Sequence, residues 1–389
     1  MSPESRQANT TMFDHHYMAR ALKLAEQGLY TSDPNPRVGC VIVQYDQGAE
    51  GRIVGEGFHL RAGEPHAEIH ALNAAGAAAK GATAYVTLEP CSHTGRTGPC
   101  AVALVEAQVA RVVVAMVDPN PQVSGQGIER LQAAGITVEV GLLEQDAKAL
   151  NPGFISRMQR QRPFVRLKMA MSLDGRTAMG SGESQWITGP EARSQVQRLR
   201  ARSSAILSGV ESIIMDDSRL TLRADQLELA NADDIIKRQP LRVILDSRLR
   251  LPLAAACLRE PGRTLIIATE QHSDEKRRKL EAAGAEIHVL PMAQEGRVSL
   301  TDMLHWLSEN EQVNELLVET GATLAGALVG AGLVDELQLF VAPTLLGGEA
   351  KPLFALPDLT RMVDQKRLTI KEVRAIGHDW RIIAEPLTD

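Results

Sequence analysis

Residues 13–28 carry apolar positions at helical spacing and end on Gly28, which predicts a helix with Gly28 as its C-cap. Residues 38–45 and 53–58 alternate as strands, joined by a glycine-containing turn over 46–51. An Ala-rich helix over 67–79, a buried strand over 82–88, a helix over 100–108 and an apolar strand over 112–117 follow. A last helix–strand step occupies 128–134 and 136–140. Strands alternating with short helices predict an α/β domain of three layers.

Residues 142–161 keep helical character but are rich in charge and Gln, and read as a connection. A second series of strand patterns begins at 164–169. It continues at 205–208, 241–246, 264–269, 286–290, 315–319 and 336–341, with helical stretches between several of them. The pattern divides the chain into a first domain over 1–146, a connection over 147–162 and a second α/β domain over 163–389. The length of 389 residues agrees, being too great for one ordinary core. The polar stretch 224–238 reads as a surface excursion.

Aromatic residues make up only 3%, so the cores must be built from Ala, Val, Ile and Leu. The net charge of −6 is spread evenly, with 13 Lys/Arg against 16 Asp/Glu in residues 1–160. Neither part has the basic excess that nucleic acid or an anionic membrane calls for, so a small substrate is expected. No apolar run approaches the ~20 residues of a membrane span, and residues 1–11 are too polar for a secretory signal. Four cysteines do not make a disulfide framework, which points to a cytoplasmic protein with Cys91 and Cys100 as thiolate candidates.

Those thiols belong to a constellation. Pro65-His66-Ala67-Glu68 lies where a loop enters a helix, and Leu88-Glu89-Pro90-Cys91 and then Cys100 follow the next strand. One imidazole and two thiolates suit Zn2+ and leave a fourth position for water, whose acidity the metal raises. Glu68, two residues beyond His66, can face the same cavity as general base and acid without binding metal. The arrangement matches the zinc-deaminase pattern H-x-E…P-C-x-x-C except that eight residues, not two, separate the cysteines. A structural zinc site completed by a fourth ligand such as His93 is the alternative.

The zinc segment, with Asn35-Pro36-Arg37-Val38-Gly39, Gly57-Phe58-His59 and the long loop Ser92-His93-Thr94-Gly95-Arg96-Thr97-Gly98-Pro99, resembles the deaminase of riboflavin biosynthesis. That resemblance implies a cytidine-deaminase-like domain acting on 2,5-diamino-6-(5-phosphoribosylamino)-4(3H)-pyrimidinone, with Asn35 and His59 lining the pocket.

The second domain has no G-x-G-x-x-G, but residues 319–326 run from a strand into a helix, where backbone N–H groups can hold a phosphate. By itself, Lys168 to Arg176 reads as an edge strand and turn. Residues 169–177, 182–188, Asp216-Asp217 and 319–326 resemble the reductase half of the bifunctional riboflavin-biosynthesis family, which implies a dihydrofolate-reductase-like fold and NADPH. The resemblance places cofactor contacts at Ala170, Trp186, Ser212, Asp216, Ser247, Gly321, Ala322, Thr323, Leu324, Ala325, Gly326 and Ala327. It places substrate contacts at Ser184, Arg200, Leu220, Arg223 and Glu319, with Lys168 as a candidate to polarise the hydride acceptor. A homodimer or higher homo-oligomer, built through the second domain, is implied as well. The competing reading is a zinc deaminase for another nucleotide or a nucleic-acid base, with a nucleotide-binding second domain that is not a reductase.

Overall fold

The computed structural model describes residues 3–45, 50–92, 98–121, 123–293, 296–357 and 359–387. It separates into two compact units, Met1–Gln161 and Arg162–Asp389. The first contains α1 (Pro3–Glu26), β1 (Gly39–Gln44), β2 (Arg52–Phe58), α2 (Ala67–Ala75), β3 (Thr83–Val86), α3 (Cys100–Glu106), β4 (Arg111–Val114), α4 (Gln126–Ala133), β5 (Thr137–Val140), α5 (Glu144–Leu150) and α6 (Pro152–Arg160). Its sheet runs β2-β1-β3-β4-β5, with β3, β4 and β5 parallel and β1 antiparallel to both neighbours.

Register explains the layers. Gly39 pairs with Phe58 and Cys40 with Gly57, so Gly39 and Gly57 present opposite faces of the sheet. A Cβ at Gly39 would meet the Ala21 carbonyl of α1 at 2.0 Å, and one at Gly57 the Ala67 carbonyl of α2 at 2.4 Å. The two helices therefore press on opposite faces, and glycine at these positions permits the approach. Cys40 to Val43, packed from both sides, are fully buried.

The predicted elements appear, though the helix expected over 13–28 begins at Pro3, and two further differences have local causes. Gly28 does not cap α1 in a left-handed conformation; a Cβ there would meet the His59 carbonyl at 2.7 Å, so close packing demands the glycine. The helix expected over 67–79 stops at Ala75, where Gly76 adopts φ 53°, and continues as a 3-10 turn. Residues 46–49 of the expected turn lie outside the described residues.

The second unit contains β6 (Phe164–Ser172), β7 (Arg176–Ala178), α7 (Pro190–Arg202), β8 (Ala205–Gly209), α8 (Val210–Asp216), α9 (Ala224–Leu227), α10 (Ala232–Ile235), β9 (Leu241–Leu245), β10 (Thr264–Ala268), α11 (Asp274–Ala282), β11 (Ala285–Val289), α12 (Leu300–Asn310), β12 (Glu315–Glu319), α13 (Ala322–Gly330), β13 (Glu336–Ala342), β14 (Lys351–Pro352), β15 (Leu368–Ile376) and β16 (Asp379–Pro386). Nine strands form one sheet in the order β11-β10-β9-β8-β12-β6-β13-β16-β15, parallel as far as β13 and antiparallel beyond it. Val243, Leu265, Leu207 and Leu316 join one core cluster, while the alternate residues Ile244, Ile266 and Ile206 join another. Both faces of the parallel part are thus covered.

Taken alone, Lys168 to Arg176 suggested an edge strand; β6 is central, hydrogen-bonded to β12 and β13. Its partners lie far along the chain, at Glu315–Glu319 and Glu336–Ala342, which is why its position was not readable locally. The excursion at 224–238 forms the short helices α9 and α10, anchored by buried Leu227 and Ile235.

Candidate active sites of the two units

In the first unit α2 begins at His66, whose extended backbone makes it the N-cap, while Cys100 opens α3. Cys91 follows β3 after Leu88-Glu89-Pro90. The ligand atoms of His66, Cys91 and Cys100 all lie within 4.8 Å of one another. His66 Nδ1 is 3.6 Å from Cys91 Sγ and 3.3 Å from Cys100 Sγ, and the Cys100 N–H donates to Cys91 Sγ at 3.3 Å.

The charges at this point are in competition. A hydrogen bond from the Cys100 thiol holds Cys91 well below the usual thiol range, and the same contact, with burial, pushes Cys100 up. Two thiols this close share one proton, and a divalent cation is what allows both to ionise. This donor set suits zinc. Glu68, in the first turn of α2, is only 3% exposed. Burial and the neighbouring Cys91 raise its pKa to about 7. Proposed fourth ligand His93 lies outside the described residues, as does the rest of 93–97.

Asn35 and His59 come to the same place. Asn35 Nδ2 lies 3.0 Å from His59 Nε2, and the His59 ring stands edge-on to His66 with centroids 5.2 Å apart. His59 Nδ1 lies 3.2 Å from the Pro65 carbonyl, an acceptor only, so Nδ1 carries the proton and Nε2 accepts from Asn35. Burial lowers the His59 pKa and favours that neutral form. Arg37 is fixed behind it: its N–H and C=O bond the Asn151 side-chain amide at 2.8 and 2.9 Å.

Sequence reasoning missed Glu89. Its carboxylate is 4% exposed and accepts from the N–H groups of Asp118, Gly125, Gly127 and Ile128 at 3.0, 3.0, 2.8 and 3.4 Å. It thereby caps α4 and anchors the segment that presents Cys91. Glu89→Gln places an amide donor against backbone donors, so zinc affinity should fall by about 10–100-fold. Chelator competition measures this, and an unchanged zinc Kd would refute the anchoring role.

In the second unit the ends of β6, β12, β8 and β9 open onto a cleft of about 1830 Å³, roughly twice a typical single-ligand pocket. Ala170, Ser184, Trp186, Arg200, Ser212, Asp216, Leu220, Arg223, Ser247, Glu319, Gly321, Ala322, Thr323, Leu324 and Ala327 all line it. Ala325 and Gly326 do not: both are buried, and a Cβ at Gly326 would meet the Ala355 carbonyl at 2.0 Å. Their residue types serve packing of α13. Leu220 is buried at the cleft wall, with its backbone in the left-handed region at φ 52°.

The strand-to-helix turns after β8 and β12 are cross-linked. Gly209 N–H donates to Thr320 Oγ1 at 3.4 Å, and Gly321 N–H to Ser212 Oγ at 3.2 Å. No side chain caps α13, so its first-turn N–H groups remain available to an anion. Arg200 is less free than a phosphate ligand should be. It grips Glu319 with two bonds of 2.6 and 3.0 Å and donates a third to the Thr221 carbonyl at 2.9 Å. The Arg223 guanidinium has no such partner among the described residues. Lys168 lies in the field of this pair; burial lowers its pKa against the pull of Glu319. Trp186, which could have been a core aromatic, is 70% exposed with the Arg193 guanidinium 4.8 Å above its ring. Ser184 Oγ bonds Asp216 at 3.0 Å.

Comparison with known proteins agrees with both halves. Residues 11–116 match the cytidine and deoxycytidylate deaminase zinc-binding region, and residues 163–382 the RibD C-terminal domain. The riboflavin biosynthesis protein RibD of Escherichia coli is 50% identical over 371 residues, covering 95% of this chain and 98% of that one. The chain belongs to the RibD family. Its counterpart in Haemophilus influenzae is 47% identical over 95% of this chain and 96% of its own. The solved structure of Acinetobacter baumannii RibD superposes with a TM-score of 0.88 at 46% identity, covering 97% and 100% of the two chains. One from Thermotoga maritima, described as a diaminohydroxyphosphoribosylaminopyrimidine deaminase/5-amino-6-(5-phosphoribosylamino)uracil reductase, gives 0.81 at 31% identity, covering 97% of this chain and 99% of its own. Like other RibD proteins, this chain is a bifunctional enzyme of riboflavin biosynthesis, joining a zinc deaminase of cytidine-deaminase-like fold to an NADPH-dependent reductase of dihydrofolate-reductase-like fold.

Proposed function

We propose that the first unit deaminates 2,5-diamino-6-(5-phosphoribosylamino)-4(3H)-pyrimidinone hydrolytically and that the second then reduces the ribosyl group to ribityl. The observation that carries the first half is a buried Glu68 beside three zinc-type donors drawn within 4.8 Å. His66, Cys91 and Cys100 would hold zinc, which would supply an acidified water for the attack. Glu68 is the group placed to take a proton from the attacking water and deliver it to the ring nitrogen, and then to carry that water's second proton to the departing ammonia. Asn35, held by neutral His59, offers its remaining amide oxygen to the pyrimidine edge.

For the second half, NADPH supplies the hydride, and the chain's residues orient it. The uncapped start of α13 holds the diphosphate, Arg223 the ribose phosphate, and Ala170 and Trp186 border the reacting end. Bound there, the cofactor would deliver hydride to C1′ of the ribosyl group, with the C1′–O4′ bond breaking and the oxygen taking a proton. Lys168 is the cation placed to supply it, and Glu319, fixed by Arg200, opposes the loss of its charge on burial.

Purified protein should contain one zinc per chain, release ammonia without NADPH, and consume NADPH only after deamination. Bound zinc with no ammonia from this ribotide would refute the assignment. Homo-oligomerisation through the second unit belongs to the same proposal. Edge strand β15 exposes Leu368, Ile370 and Val373, a surface that self-association would cover, and a monomer in sedimentation would remove this part. No helix among the described residues is long and apolar enough to cross a membrane, and a cytoplasmic location is proposed with the rest.

A further inference from the structure

Parallel strands deliver their ligands to their carboxyl ends. In this cleft β6 brings Lys168 and Ala170, β12 brings Glu319 to Gly321, β8 brings Gly209, and β9 brings Ser247 and Arg248. At about 4.8 Å per strand, β6 and β9 stand some 14 Å apart, with the diphosphate-binding turns between them. An extended dinucleotide whose nicotinamide lies at Ala170 therefore has its adenosine half at the end of β9.

The residues at that end are specific in their charge. An acid after the strand would accept from the 2′-hydroxyl of NADH. Asp246 occupies that position but is 1% exposed and turned inward, its Oδ2 accepting the Leu251 N–H at 2.7 Å. Ser247 and Arg248 face the cleft instead, and the Ser247 carbonyl is fixed by the Thr269 hydroxyl at 2.9 Å. Arg297 enters the same end from a loop where Gly296 packs near Gln271, just beyond β10.

Other cations at this end are engaged. Arg250 pairs with Glu211 at 2.7 Å and Arg219 with Glu260 at 3.3 Å. The neighbouring acids are engaged too, Asp216 with Ser184 and Asp217 with the Ala256 N–H at 2.8 Å. Arg248 and Arg297 line the cleft with no ion pair or side-chain hydrogen bond among the described residues. Two uncommitted guanidinium groups suit a dianionic phosphomonoester.

We propose that Arg248, assisted by Arg297, reads the 2′-phosphate of NADPH and sets the preference of this reductase over NADH. The inference rests on the reductase reading above. Intrinsic tryptophan fluorescence of the full-length, zinc-loaded protein, titrated with NADPH, NADH and adenosine 2′,5′-bisphosphate, tests it directly. Arg248→Ala should weaken NADPH and the bisphosphate by about 10–100-fold and leave NADH within about twofold. Arg248→Ala with Arg297→Ala should bring NADPH down to the affinity of NADH. Equal weakening of both dinucleotides, or an unchanged preference in the double variant, overturns the proposal while the reductase reading stands. An unaltered protein that binds neither dinucleotide overturns both.

Discussion

Glu68→Gln should slow ammonia release by about 10²–10⁴-fold, leave one zinc per chain and leave NADPH consumption on pre-deaminated substrate unchanged. Gln keeps the size and hydrogen-bonding reach of the side chain, so His66, at the start of the same helical turn, is undisturbed. What disappears is the group that accepts and returns the proton. The sign of the stability change gives an independent check. Burial raises the Glu68 pKa to about 7, so between the ordinary 4.5 and 7 the metal-stripped native state binds more protons than the unfolded chain. Its stability falls with rising pH across that window. A neutral amide removes this term, and stripped Glu68→Gln should be at least as stable as the stripped parent at pH 8. Retained ammonia release in the zinc-loaded variant would sink the mechanism.

Lys168→Met should produce the opposite phenotype: ammonia release intact, NADPH still bound, and reduction slowed by about 10²-fold or more. Met keeps the apolar stem and drops only the ammonium. Because burial already disfavours the charge at this position, losing it should cost the fold little. A pH profile separates a proton donor from a spacer. Activity that needs the ammonium is present below the lysine pKa and lost above it, and burial moves that limb below the ordinary 10.5. The alkaline limb should be absent from the residual rate of Lys168→Met. A variant that reduces at the parent rate would leave proton supply to water.

How much of this was legible in the chain depends on the range of each signal. His66, Glu68, Cys91 and Cys100 were readable because each sits at an element boundary that periodicity locates, and strand and helix together fix where the boundary points. The role of Glu89 was not, since its four partners come from residues 118–128 and nothing in Leu-Glu-Pro-Cys reveals them. Arg200 and Glu319 were named separately; that they hold each other followed only from bringing α7 to the end of β12. Ala325 and Gly326 looked like the neighbouring glycine-turn residues, yet one helical turn rotates them into the core. Asp246 and Arg248 differ by two positions, and only the turn after β9 decides which faces the cleft.

The position of β6 has a consequence in time. This strand leaves the ribosome first among those of its sheet, yet its two partners, β12 and β13, come last but for the terminal antiparallel pair. At about 5–20 residues per second, the wait is on the order of 10 s. Throughout it Val165, Leu167 and Met169 have no neighbouring strand, whereas the first unit's sheet is already complete in the emerged chain. Synthesis stalled between β6 and β12 would therefore yield a working deaminase tethered to an aggregation-prone nascent half, and chaperone demand should concentrate in that interval.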